Sequence, residues 1–190
     1  MKSTLLAAAL VTATSAAFAA PEKYVLDASH SQAVFSYNHL GFSTSYAMFS
    51  GFEGEIMFDQ EHPENSTVTV SIPVQSMLTG WEARFDHIMS DDFFGAAEGD
   101  MVRFSSTSIE LTGDETAKIT GDLSLNGVTK SVVLDAVLNQ TGSHPMAKKP
   151  WAGFSATTKL IRSDFDVGMF APYVSDELEV RISIEAMKAE

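Results

Sequence analysis

"AKITGDLSLNGVTKSVVLDAVL", residues 117–138, spells out a β-hairpin. Ile119, Leu123 and Leu125 alternate with Lys118, Thr120, Asp122 and Ser124, so one face is dry and the other wet. Val128, Val132, Leu134 and Ala136 carry the apolar set back. Side chains that alternate with period two belong to a strand buried on one face. Between the two arms sits Asn126-Gly127, a pair that takes positive φ at both positions and fits the tight turn that twisted strands require. An antiparallel sheet is therefore expected here.

The same alternation extends outward in both directions. "HSQAVFSYNH" (30–39) places Ala33, Phe35 and Tyr37 on one face. "TVTVSIPVQ" (67–75) places Val68, Val70, Ile72 and Val74 together, and "ELEVRISIEA" (177–186) does so with Leu178, Val180, Ile182 and Ile184. Further strands are expected near 46–59, 101–112 and 151–161. About eight antiparallel strands result, which must close as a barrel or pair as a sandwich. One segment departs from the pattern. In "TGWEARFDHIMSDDFFG" (79–95), Trp81, Phe85 and Ile88 fall at helical spacing, which predicts a short helical insertion.

The first residues read "MKSTLLAAALVTATSAAFAA", with Lys2 before an apolar run and small residues at Ala17 and Ala19. This is the pattern of an export leader cleaved after Ala19. Residues 20–190 then form one domain, with no composition break to divide them, and the periplasm is the expected location. The formal net charge is −13, which repels nucleic acid and anionic membrane surfaces and excludes a nucleic-acid partner. No stable membrane anchor is expected. The chain has no cysteine, so disulfides, thiol chemistry and zinc-thiolate sites are excluded.

Catalytic patterns are weak. "GFSAT" (153–157) has Thr157 where a nucleophile elbow needs glycine, and the α/β context is missing. The five histidines show no close metal-ligand spacing. His87 and Asp91, four apart on the expected helix, offer only two ligands, so neither metal nor other cofactor is expected. Glu53 and Glu55 alternate with apolar neighbours as a solvated strand face does.

The dry faces carry Phe35, Tyr37, Tyr46, Met48, Phe52, Ile56, Phe58, Phe104, Phe154 and Leu160, with small residues Gly121, Ala136 and Ala156 among them. An eight-stranded barrel either fills itself with such side chains or holds one small ligand. Small residues on several strands favour a cavity for an apolar ligand.

The ordered segments "HSQAVFSYNHLGFS", "FSGFEGEIMFD", "RFDHIMSDDFF", "GDLSLNGVTKSVVLD" and "LIRSDFDVG" resemble the YceI-like family over residues 23–187. The resemblance implies a lipocalin-like antiparallel β-barrel, usually periplasmic, with a long polyisoprenoid or similar lipid in its lumen and no catalytic set. Asp166 stands where members tend to carry glycine, and aspartate tolerates left-handed backbone better than most residues.

The reading that follows is an exported protein holding an isoprenoid-type lipid, polyprenyl or quinone-like, for transport or sequestration. The expected lumen residues are Phe35, Tyr37, Tyr46, Met48, Phe52, Ile56, Phe104, Phe154 and Ala156. Phe93 and Phe94 would cover one mouth, with Phe85 also inward and Asp91 and Asp92 in water. Arg84 and His87 would lie at the rim, within reach of a polar head. Two alternatives remain open: an enzyme acting on a lipid headgroup through His87, Asp91 and Arg84, and a ligand-free barrel filled by its own side chains. Pairing of two chains along a strand edge is also open.

Overall fold

The computed structural model describes residues 20–190, and the expected leader, 1–19, lies outside them. The strands are β1 (Glu22–Leu26), β2 (Gln32–His39), β3 (Ser43–Phe49), β4 (Glu53–Phe58), β5 (Thr67–Pro73) and β6 (Met101–Leu111). After them come β7 (Thr116–Leu125), β8 (Val128–Ser143), β9 (Pro150–Ile161) and β10 (Glu177–Lys188). One α-helix, α1 (Glu82–Met89), interrupts them between β5 and β6.

These strands close into an antiparallel barrel of eight strand positions. β1 and β2 together occupy one position, and β3 and β4 its neighbour. Thus β10 pairs with β1 through Ala186–Lys188 and with β2 through Glu179–Ser183. β1 pairs with β4, and β2 with β3. Each of the two long strands breaks once. At the first break, buried Ser31 stands in for the missing ladder partner, its Oγ accepting from the Glu185 amide at 3.3 Å. At the second, Gly51 takes φ +67, and the Ser76 hydroxyl donates to the Ser50 carbonyl at 2.6 Å. The hairpin of β7 and β8 turns at Asn126 (φ 51) and Gly127 (φ 75), both left-handed as that pair predicts.

Connections at the two ends differ. One end carries the β2–β3 turn, the segment 74–100 with α1, and the loop 162–176. The other carries 59–66, 112–115 and 144–149. Among the described residues no helix is long and apolar enough to cross a membrane.

Packing inside the ring is uneven. Ile56, Phe58, Val70, Ile72, Val102 and Leu123 are buried against one another on β4–β7. A second set of inward residues (Phe104, Ile109 and Ile119 on β6–β7, with Val132, Leu134, Ala136, Phe154, Ala156, Leu160, Ile182 and Ile184 on β8–β10) is only half-buried. A filled barrel would bury both sets alike. The half-buried set faces a hollow.

Two glycines mark close approaches. Gly121 was expected to leave room in the lumen, but it accommodates the Phe104 ring, and an added Cβ would lie 2.6 Å from the Ser105 carbonyl oxygen. Gly54 combines φ +145 with the Thr69 backbone directly against it. Gly54→Ala should therefore destabilise the fold by about 1–3 kcal/mol through overpacking, with backbone strain added. Gly153→Ala meets nothing within 4 Å and should leave the urea midpoint near that of the parent. Equal midpoints for the two variants would contradict the close packing of β4 on β5.

Candidate ligand-binding site

A cavity of about 760 Å³ runs along the barrel axis, within the ~300–1,000 Å³ typical of ligand pockets. Its walls are almost wholly apolar. Phe35 of β2, Ile56 of β4, Phe104 and Ile109 of β6, Leu134 of β8, Phe154 and Ala156 of β9 and Ile182 of β10 all face it. Six charged or imidazole side chains reach the lining, and they divide by end. His39, Arg84, His87 and Arg162 lie at the α1 end, while Asp114 and Glu115 lie at the other. In a strongly acidic protein, an apolar tube with arginines at one end and carboxylates at the other is an oriented site.

Most of the sequence-predicted residues border this cavity: Phe35, Tyr37, Phe52, Ile56, Phe93, Phe94, Phe104, Phe154, Ala156, Arg84 and His87. Tyr46 and Met48 do not. Both sit on β3, whose inward positions are Ser43, Ser45, Ala47 and Phe49; Tyr46 is 62% exposed. Residues 46–59 are two strands rather than one, and the break at Ser50–Phe52 shifts the parity. A second shift occurs in β6, where a bulge between Ser106 and Ser108 turns Ile109 and Leu111 inward. Such bulges leave one residue unpaired and swap the faces beyond them.

The cover is built from α1 and the turn behind it. Gly80 (φ +76) turns the chain, and the Thr79 carbonyl accepts from Arg84 Nη1 at 3.2 Å. Trp81, Arg84 and Ile88 then form the stripe that meets the cavity, together with Ala83 and His87. Phe85 is half-buried but does not line it, because the face of α1 turned to the cavity is centred on Ala83, Arg84, His87 and Ile88, and Phe85 stands about 100° round the helix from Arg84. His87 pairs with Asp92, Nε2 to Oδ2 at 3.1 Å, rather than with Asp91. The helix ends at Met89, so Asp91 no longer follows the four-residue spacing that would place it beside His87. Phe93 packs edge-on against His87 at 5.2 Å between ring centres, and Phe170 stands 6.0 Å from both.

Arg162 is the most deeply placed of the charged lining residues that sequence reasoning missed. It is 8% exposed and borders the cavity, yet it donates only to backbone carbonyls. Nε reaches Ser175, Nη1 reaches Val167 and Met169, and Nη2 reaches Val174, at 2.8–3.2 Å. Burial pushes its guanidinium below its ordinary value, and nearby Asp176 opposes that shift. The Ser163 hydroxyl and amide in turn hold Asp176 below the usual carboxylate range. The inward parity Phe154, Ala156, Thr158, Leu160, continued by one step, would have found Arg162.

Outside the barrel, Asp27, His30 and Glu185 bring ligand-type atoms within 4.8 Å of one another. Asp27 is already engaged by Ser29 and by His30, Nδ1 to Oδ2 at 2.6 Å, which stabilises the break between β1 and β2.

The cover gives a specific expectation. Phe93→Ser with Phe94→Ser should accelerate release of an apolar probe from the cavity several-fold and leave the β-rich circular dichroism intact, since covers that open belong to the less stable parts of a fold. Unchanged release in the folded double variant would show that the probe passes elsewhere.

Similar proteins share this architecture. A UPF0312 protein of Ectopseudomonas mendocina (strain ymp) is 38% identical over 194 residues, covering 99% of each chain. The crystal structure of a Campylobacter jejuni YCEI protein superposes with a TM-score of 0.72 at 31% identity, over 80% of this chain and 90% of that one. A polyisoprenoid binding domain from Saccharophagus degradans superposes with a TM-score of 0.67 at 13% identity, over 87% and 98% of the two chains; that likeness is one of fold. The YceI-like domain matches residues 24–186, nearly the whole barrel, and the chain belongs to the YceI-like family.

Proposed function

We propose that this protein is an exported lipid carrier that holds one long-chain, isoprenoid-type lipid in the barrel, with the lipid's polar head at the arginine end. The observation that carries this reading is the hollow, largely apolar lumen, charged only at its ends. It is supported by the family's likeness in fold to a domain named for polyisoprenoid binding and by the leader pattern at 1–19, which points to the periplasm. Burial of each methylene is worth about 0.8 kcal/mol relative to water. The bilayer competes on nearly equal terms, so net preference is small and the lipid exchanges readily, as carriage requires. Arg84 and Arg162 attract a polar or anionic head, while Asp114 and Glu115 discourage the reverse orientation.

One observation favours a second reading. The His87–Asp92 pair at the mouth resembles an acid–base couple, which is what an enzyme acting on a headgroup needs. Incubation with a prenyl lipid, followed by organic extraction and mass analysis, distinguishes the two. A carrier returns the lipid at unchanged mass, one per chain, and His87→Ala still retains it. A product of altered mass, lost in His87→Ala, would establish the enzyme instead.

A further inference from the structure

Most of the large apolar side chains that the protein leaves uncovered lie at the end of the barrel that carries the arginines, while Leu111, Val137 and Met146 lie toward the other. Phe42 is 90% exposed, Tyr173 75%, Trp81 65% and Leu40 49%. They come from three separate pieces of chain: the β2–β3 turn, the start of α1 and the loop 162–176. Backbone contacts hold the β2–β3 turn to the loop 162–176, and the rings of His87 and Phe93 against Phe170 bring α1 to the same loop. The Leu40 amide donates to the Tyr173 carbonyl at 2.9 Å, and His39 bridges to Val174. The exposed groups thus form one rim rather than scattered single residues, and a rim of this kind on a soluble face marks an interaction site.

Two of the exposed residues, Trp81 and Phe170, also line the cavity. Rim and lumen are therefore one continuous apolar surface. We infer that the rim formed by Phe42, Trp81, Phe170 and Tyr173 docks reversibly on a lipid bilayer, so that a chain passes between bilayer and lumen without crossing water. This rests on the carrier reading above and adds the surface through which the carrier loads. Trp and Tyr suit the assignment, because their amphipathic rings settle at the membrane–water interface. A second copy of the chain seated on this rim would close the mouth that the lipid must use. The neighbouring charges set the surface preferred. Glu82, Asp86, Asp91 and Asp92 are exposed on and just after α1, so an anionic bilayer is repelled and a zwitterionic one is not.

The chain has two tryptophans, and Trp151 is held at the opposite end by Glu185, Nε1 to Oε2 at 2.9 Å. Trp151→Phe therefore leaves Trp81 as a reporter on the rim. This protein should co-sediment with phosphatidylcholine vesicles, its Trp81 emission should be quenched by brominated phosphatidylcholine, and replacing part of the lipid with phosphatidylglycerol at low salt should weaken both signals. Phe42→Asp with Tyr173→Asp should lower vesicle partitioning about tenfold or more, with the same unfolding midpoint and the same lipid recovered by extraction. Failure to co-sediment by a protein that still carries lipid overturns the docking surface and leaves the carrier reading standing. Absence of any extractable lipid strikes the carrier reading, while co-sedimentation is still scored separately. A concentration-dependent dimer in the absence of vesicles, broken by Phe42→Asp, would assign the rim to self-association and overturn the proposal.

Discussion

Ala156→Trp should empty the barrel while leaving it folded. Ala156 faces the cavity from β9, opposite Ala136 of β8 and Ile182 of β10 in the ladder, and it is only half-buried. An indole there enters space that belongs to no other side chain. Lipid recovered by extraction should fall at least about tenfold, and the unfolding midpoint should stay close to that of the parent. In a packed interior the same change would overpack the core at a cost of about 1–3 kcal/mol. A lower midpoint with no lipid to lose would therefore support the filled barrel.

Arg162→Met should produce the largest loss of stability. The guanidinium satisfies four backbone carbonyls of the loop 162–176 from a nearly dry position. Hydrogen bonds to a charged donor are worth about 1.5–3 kcal/mol each but do not add simply. Removing the donor from such a buried network should cost about 3–5 kcal/mol in urea unfolding, by analogy with a broken buried ion pair. Arg162→Lys should recover only part of this, because one ammonium cannot span four acceptors as a planar fork does. Amide exchange should rise first in 166–176, beside the mouth. If Arg162→Met unfolds within about 1 kcal/mol of the parent, this loop is held by other contacts.

The barrel was legible because period-two alternation survives wherever a strand is dry on one side and wet on the other. The hairpin around Asn126-Gly127 and the helical break at 79–95 stand where the sequence puts them. Asp166 takes φ 57, so the turn after Asp164-Phe165 forms without the family's usual glycine. Errors arose where chain geometry resets parity. Gly51 splits one expected strand in two, which turned Tyr46 and Met48 outward. The bulge near Thr107 brought in Ile109, which alternation from Phe104 would place outside. Phe170 reaches the cavity from an irregular loop, where no period exists to read. Arg162 was hidden for a different reason: a charged residue is expected in water, and only the loop that wraps around it supplies the carbonyls that let it stay inside.

Native mass spectrometry of the protein purified from the cells that make it, before and after organic extraction, tests the central claim most directly. The expected result is one chain beginning at Ala20 that carries a single long-chain lipid, with the added mass lost on extraction and recovered as an unmodified isoprenoid-type molecule. A chain of bare polypeptide mass before extraction, combined with an unfolding midpoint lowered by Ala156→Trp, would contradict it.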